Sequence, residues 1–164
     1  MVNTDRIADM WTDASDDYDR IVSRELHNPR DVDHWRHELA MRLGDEPHDV
    51  LDVGCGPGFF SIMLSRLGHR VTSLDASEGM LRAARRNLTW YGIEPHVRHS
   101  DVVTLDGVAD SSVDAVVSRD VVWTLHDPAA AYRRWFQVLR PGGLVLVYDG
   151  NYRADRTCLL YTSD

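Results

Sequence analysis

Apolar residues fall along this chain in two rhythms. Short continuous runs occupy Asp49 to Val53, Arg70 to Asp75, Val113 to Ser118 and Leu144 to Tyr148, and a shorter one occupies His96 to His99. Their length and β-branched content are those of buried strands. Between them apolar residues recur three and four apart. Val32, Trp35, Leu39 and Leu43 follow the Asn28-Pro29 start and stop at Gly44. A helix from Phe59 to Leu67 closes at Gly68, and Ser77 can cap the next, which turns Met80, Leu81, Ala84 and Leu88 inward. Asp127-Pro128 opens a last helix expected to bury Tyr132, Trp135, Phe136 and Leu139, and Arg140-Pro-Gly-Gly143 then turns the chain into the fifth strand. Strands alternating with helices predict an α/β fold: a doubly wound, mostly parallel sheet with helices on both faces.

The first 27 residues break this rhythm. They are polar and Asp-rich, with Trp11, Tyr18, Ile21 and Val22 as apolar anchors. The segment reads either as a surface helix docked on the core or as a lid over a ligand pocket. The main domain is then 28–150, and 151–164 is an irregular tail. Within that tail, 158–164 resembles translated sequencing-adapter sequence and is expected to be non-native, so the fifth strand is expected to stand as an unprotected edge.

Composition narrows the function classes. At 164 residues the chain suits one domain with a sizeable core, and a net charge of -8 argues against a nucleic-acid or anionic-membrane partner. All 18 basic residues are arginine, which excludes chemistry that needs a lysine. No apolar run approaches the roughly 20 residues that span a bilayer, and Met1 to Arg6 lacks the features of a signal peptide. Cys55 and Cys158 suggest no disulfide framework, so a cytoplasmic location is expected. His34 and His37 share a helix face, but no further ligands at zinc spacing stand near them, and solvated histidines with no metal are expected.

The stretch with the most chemistry is Val50-Leu-Asp-Val-Gly-Cys-Gly-Pro-Gly-Phe-Phe60. A buried strand here turns sharply into a helix through Gly54, Gly56 and Gly58, which lets a ligand approach the main chain. Ligands of open parallel sheets bind at the carboxyl ends of strands. Gly54 to Gly58, Asp75, Asp101, Ser118 to Val121 and Asp149 all fall at such ends. Asp75 lies 21 residues after Gly54 and ends the second strand, where a carboxylate either accepts from both hydroxyls of a ribose or caps the helix at Ser77. Asp101 either accepts from an exocyclic adenine amine or is an ordinary loop aspartate.

Several stretches together resemble the class I S-adenosylmethionine-dependent methyltransferases. They are Leu51-Asp-Val-Gly-Cys-Gly-Pro-Gly58, Ser73-Leu-Asp75 with Ala76-Ser77, Ser100-Asp101-Val102, Asp114 to Arg119, and Val138-Leu-Arg-Pro-Gly-Gly-Leu144. The resemblance covers residues 30 to 150 and implies a Rossmann-like fold whose last strands are missing. It implies that Gly54, Gly56 and Gly58, with Cys55 and Pro57, shape a loop around the methionine part of the cofactor. Asp52 would orient that loop or meet the amino group. Asp75 would bind the ribose, Ala76 and Met80 would flank the adenine, and Asp101 with Val102 would hold its amine and ring edge. Ser118 and Arg119 would line the methionine side, and Cys55 would fill space rather than act as a nucleophile.

The implied reaction is in-line methyl transfer to a small-molecule acceptor. Where the acceptor must lose a proton, the candidate bases are Asp120, Trp123 and His126, with Tyr18 entering from the N-terminal segment. Asp120 also reads as a structural cap and His126 as a loop residue. Trp11, Tyr18 and Trp123 suit a planar or apolar acceptor, or the core. Nucleic-acid amino-methylating enzymes often carry an Asn/Asp-Pro-Pro-aromatic tetrapeptide where Ser118-Arg-Asp-Val121 stands, which points away from a nucleic-acid acceptor. Two rivals remain: a domain that binds the cofactor without turnover, and a nicotinamide-dependent oxidoreductase. Against the latter, Phe59 stands where that fingerprint has its third glycine. The oligomeric state is open.

Overall fold

The computed structural model describes residues 4–150 and a strand at Leu159–Tyr161. The N-terminal segment forms two helices, α1 (Thr4–Asp13) and α2 (Ser15–His27), followed by α3 (Pro29–Leu43). The alternating part runs β1 (Asp49–Val53), α4 (Phe59–Arg66), β2 (Arg70–Asp75), α5 (Glu78–Trp90), β3 (Val97–His99), β4 (Val113–Arg119), a 3-10 turn (Val122–Thr124), α6 (Pro128–Val138), β5 (Leu139–Asp149) and β6 (Leu159–Tyr161). The helix starts follow their capping chemistry. Asn28 Oδ1 accepts from Arg30 N, Ser77 Oγ from Met80 N, and Asp127 Oδ1 from Ala130 N.

The strand order is β3-β2-β1-β4-β5-β6, parallel except for the last pair. The order reverses between β1 and β4, so their carboxyl ends diverge into a crevice. Strand alternation splits the core in two. Val50, Ala115, Val117 and Tyr148 pack under α3 and α4, while Leu51, Val53, Val116 and Val147 pack under α6. Helices therefore cover both faces.

Three expectations change. Phe136 is exposed, and Ala131, Trp135 and Val138 carry α6 into the core instead. Leu139 belongs to β5, where it pairs with Val113 before a register shift brings Leu144 opposite Ala115. The β5 edge is not bare: β6 pairs antiparallel with Val147–Asp149. The remainder of the tail, including Cys158, lies outside the described residues. His34 and His37 are exposed on α3, and no group of three metal-binding side chains gathers among the described residues. No helix among them is long and apolar enough to cross a membrane.

Candidate functional site

A cavity of about 350 Å³ opens at the carboxyl ends of β1, β2 and β4. Its floor is the glycine loop. Gly54 N and Cys55 N both donate to Leu74 O, at 2.8 and 2.9 Å, which folds the loop back onto β2. Gly54 has φ +69°, and a Cβ there would stand 2.3 Å from Val121 Cγ2. Only glycine fits both the backbone and the neighbour. Gly56 and Pro57 line the cavity, but Gly58 does not: it faces Ala84 and lets α4 start close against α5.

Asp75 controls the loop from the end of β2. Its Oδ2 accepts from Gly56 N at 2.9 Å and its Oδ1 from Ser77 N at 2.8 Å. Burial raises its carboxyl above the usual range, and the backbone N–H groups of Ser77 and Gly56 oppose that rise. Asp52 is buried beneath the loop, where Ser61 Oγ donates to its Oδ2 at 2.6 Å. The Ser61 proton being committed, Ser73 donates across the 2.6 Å contact to Ser61. Burial lifts Asp52 to about 6, against the Ser61 hydrogen bond and the Arg119 charge. Cys55 is buried, and desolvation followed by the Asp75 and Asp52 carboxylates holds its thiol well above the ordinary value. It stays protonated and is no nucleophile.

Beyond Asp75 the wall is Ala76, Met80, Asp101 and Val102. Asp101 Oδ1 accepts from Val103 N at 2.7 Å and Thr104 N at 3.2 Å. The loop is braced from α6: Trp135 Nε1 donates to Val102 O at 2.8 Å, and Arg134 Nε to Thr104 O at 2.9 Å.

The opposite wall leaves β4. Ser118 does not reach the cavity; it is fully buried on the α6 side, its Oγ without a partner among the described residues. The next side chain points the other way, and Arg119 does line the cavity. Its two terminal nitrogens meet Glu25 Oε1 at 3.2 Å and Oε2 at 2.9 Å, and its guanidinium lies 4.6 Å from the Phe59 ring centroid and 5.1 Å from that of Phe60. Asp120 and His126 line the cavity. Asp120 has φ +58°, and its Oδ1 accepts from Gly150 N at 3.4 Å. Trp123 does not line it; its Nε1 donates outward to Asp120 O at 3.0 Å. Asp149 holds this turn, accepting from Val121 N at 3.0 Å and Trp123 N at 2.9 Å.

The N-terminal helices form the roof. Thr12 Oγ1 and Ser77 Oγ are 2.9 Å apart, and a Cβ on Gly79 would stand 2.7 Å from Ser15 Oγ, so the α1–α2 junction sits directly on the start of α5. Asn87 Nδ2 donates to Asp19 Oδ1 at 2.7 Å and to Pro57 O at 3.0 Å, tying α2 to the glycine loop. The Tyr18 ring covers Gly56, with Cε1 3.7 Å from where its Cβ would be. Burial, then the Asp120 carboxylate, pushes the Tyr18 phenol upward. A phenol raised in this way is protonated at neutral pH and able to donate a hydrogen bond.

Val121 lines the cavity too, and so do Ile7, Ala8, Val22, Thr124 and Leu125, which were not expected there. The four-residue spacings Ile7–Trp11 and Tyr18–Val22 carry the signal for the roof. The turn after β4 carries none beyond its place at a strand end.

The family described as "Methyltransferase domain" matches residues 51–147. The chain is 31% identical over 156 residues to a "Ubiquinone biosynthesis O-methyltransferase" of Dinoroseobacter shibae, covering 88% of the chain and 62% of that relative. It is 32% identical over 145 residues to a "Malonyl-[acyl-carrier protein] O-methyltransferase" of Serratia marcescens, covering 88% of the chain and 52% of that relative. The chain thus spans less than two thirds of these relatives. In fold it is similar to the crystal structure of an S-adenosylmethionine-dependent methyltransferase of Aquifex aeolicus, with TM-score 0.67, 20% identity, and 85% and 77% of the two chains covered.

Proposed function

The chain belongs to the methyltransferase-domain family, and from that premise we propose that its cavity binds S-adenosylmethionine and presents its methyl group to a small-molecule acceptor. The observation that carries this reading is Asp75. Each of its oxygens takes one backbone N–H and keeps further acceptor capacity, which fits the paired hydroxyls of a ribose. The rest of the wall fits as well. A loop without side chains at Gly54 and Gly56 receives the amino-acid part, and Met80 and Val102 flank the base. The backbone bonds from Val103 N and Thr104 N both fall on Asp101 Oδ1, so Oδ2 can accept from the adenine amine.

When bound, the cofactor supplies a methyl group activated by a positively charged sulfur. The protein contributes position and enclosure. Helices α1 and α2 act as a lid: Tyr18 covers the glycine loop and Trp11 borders the acceptor end. Holding acceptor and donor in line lowers the barrier by about 7–11 kcal/mol. His126 and Asp120 are placed to take the acceptor's proton, an aid worth about 10²–10⁴-fold, while Tyr18 donates a hydrogen bond to the acceptor oxygen. The names of the two relatives support an oxygen as the receiving atom.

Calorimetric titration with S-adenosylhomocysteine tests the reading, with NAD as rival ligand. Micromolar binding, weakened at least tenfold by Asp75→Ala, is expected, since a ribose contact to a charged acceptor contributes about 1.5–3 kcal/mol. Absence of binding by a folded chain, or preference for NAD, would overturn it.

A further inference from the structure

We infer that the acceptor end of this cavity selects uncharged, planar hydroxyl compounds and rejects carboxylates, because Glu25 already occupies its arginine. The inference rests on the methyl-transfer reading and names the substrate class of the same site.

The argument is one of charge and surface. Among the described residues, Arg119 is the only arginine lining the cavity, and the chain has no lysine. The acidic lining residues are Asp52, Asp75, Asp101, Asp120 and Asp127. An anionic acceptor entering this space would have to find its counter-ion in Arg119. That guanidinium is already paired and stacked. Two of its nitrogens are taken by the two Glu25 oxygens, and its face lies against Phe59 and Phe60 and, at 5.5 Å, Trp35. Only 14% of the Arg119 side chain and 27% of the Glu25 side chain are exposed, so the pair is shielded from solvent and holds its geometry.

A carboxylate entering beside Asp120 would therefore be stripped of water with no cation to replace it, and would meet like charge. A neutral ring meets a different surface. Ile7, Ala8, Trp11, Val22 and Leu125 line the same cavity and offer apolar and aromatic contact. Tyr18 and His126 also line it and can donate to, or accept from, a hydroxyl. Discrimination comes as much from what the site withholds as from what it offers. Glu25 is thus a specificity-determining residue. It contributes no contact to the acceptor and acts by cancelling Arg119.

Two probes of one shape test this at neutral pH: 1-naphthol and 1-naphthoate, titrated into the full chain saturated with S-adenosylhomocysteine and read by ligand-observed NMR. The wild type is expected to bind 1-naphthol at least about tenfold more tightly than 1-naphthoate, and Glu25→Gln, which frees the Arg119 charge, to narrow that ratio to about threefold by strengthening naphthoate alone. Unchanged naphthol affinity in Glu25→Gln serves as the folding control. Naphthoate binding as tightly as naphthol to the wild type would overturn the inference. So would an unchanged ratio in Glu25→Gln, or a chain that binds S-adenosylhomocysteine and neither probe. A folded chain that fails to bind S-adenosylhomocysteine itself marks the separate failure of the methyl-transfer reading.

Discussion

Gly54 lies so close to Val121 that a Cβ on the glycine would stand 2.3 Å from Val121 Cγ2. The loop after β1 and the turn after β4 are therefore in contact at the point where the strand order reverses, and each sets the position of the other. Gly54→Ala must move Val121 and also place a Cβ in left-handed backbone, which alone costs about 1–2 kcal/mol. Thermal unfolding should register that loss. Titration should show S-adenosylhomocysteine affinity falling at least about tenfold, or 1.4 kcal/mol.

Asn87 joins the roof to the floor through Asp19 and the Pro57 carbonyl. Asn87→Ala leaves both acceptors short of a donor, at a cost of about 1–3 kcal/mol. Denaturant unfolding should show that loss, and limited proteolysis should cut faster between α2 and α3. Equal protection of the two proteins would show that α2 is held by its other contacts.

Asp52 gives a pH signature of definite sign. Its folded value, about 6, lies above the ordinary 3.8. The stability contributed by its protonated form is then fully present below pH 4 and is lost as pH rises through 6. Asp52→Asn removes this loss. The difference in stability between variant and wild type should grow between pH 4 and 6 toward an order of 3 kcal/mol and level off above. Unfolding midpoints measured across that range check it.

Asp149 accepts from Val121 N and Trp123 N and so fixes the turn that carries Asp120. Asp149→Asn keeps one acceptor oxygen and gives up the charge. Stability should fall by about 1–3 kcal/mol, and turnover should fall more than cofactor affinity, because the turn faces the acceptor. A change in cofactor affinity alone would place the role of Asp149 at the other end of the cavity.

Much of this was legible from local signals. The strands are continuous apolar runs, the caps at Asn28, Ser77 and Asp127 are side chains suited to that task, and the glycine loop announces a turn with close backbone approach. Other features have no local signal. Trp135 and Phe136 are adjacent on α6 and about 100° apart around its axis, so only tertiary packing decides that Trp135 enters the core and Phe136 stays outside. Ser118 and Arg119 are adjacent at the end of β4, and strand alternation sends them to opposite faces. The Arg119–Glu25 pair spans 94 positions, a separation that no periodicity reports. The break between α1 and α2 at Ala14 was equally hidden, since the polar segment runs through it without a proline or glycine.

The anchoring of the roof also bears on the order in which the molecule can assemble during synthesis. Its helices leave the ribosome before the sheet does, but Thr12 waits for Ser77, Asp19 for Arg86 and Asn87, and Glu25 for Arg119. Until β4 has been made and inserted beside β1, α2 has no counter-ion for Glu25 and no glycine loop held in place beneath Tyr18. Contacts so distant in sequence form slowly, because the intervening chain must be ordered before they reward it. The roof is thus made before the sheet and secured after it, and ligand-binding competence should appear in one late step rather than accumulate strand by strand.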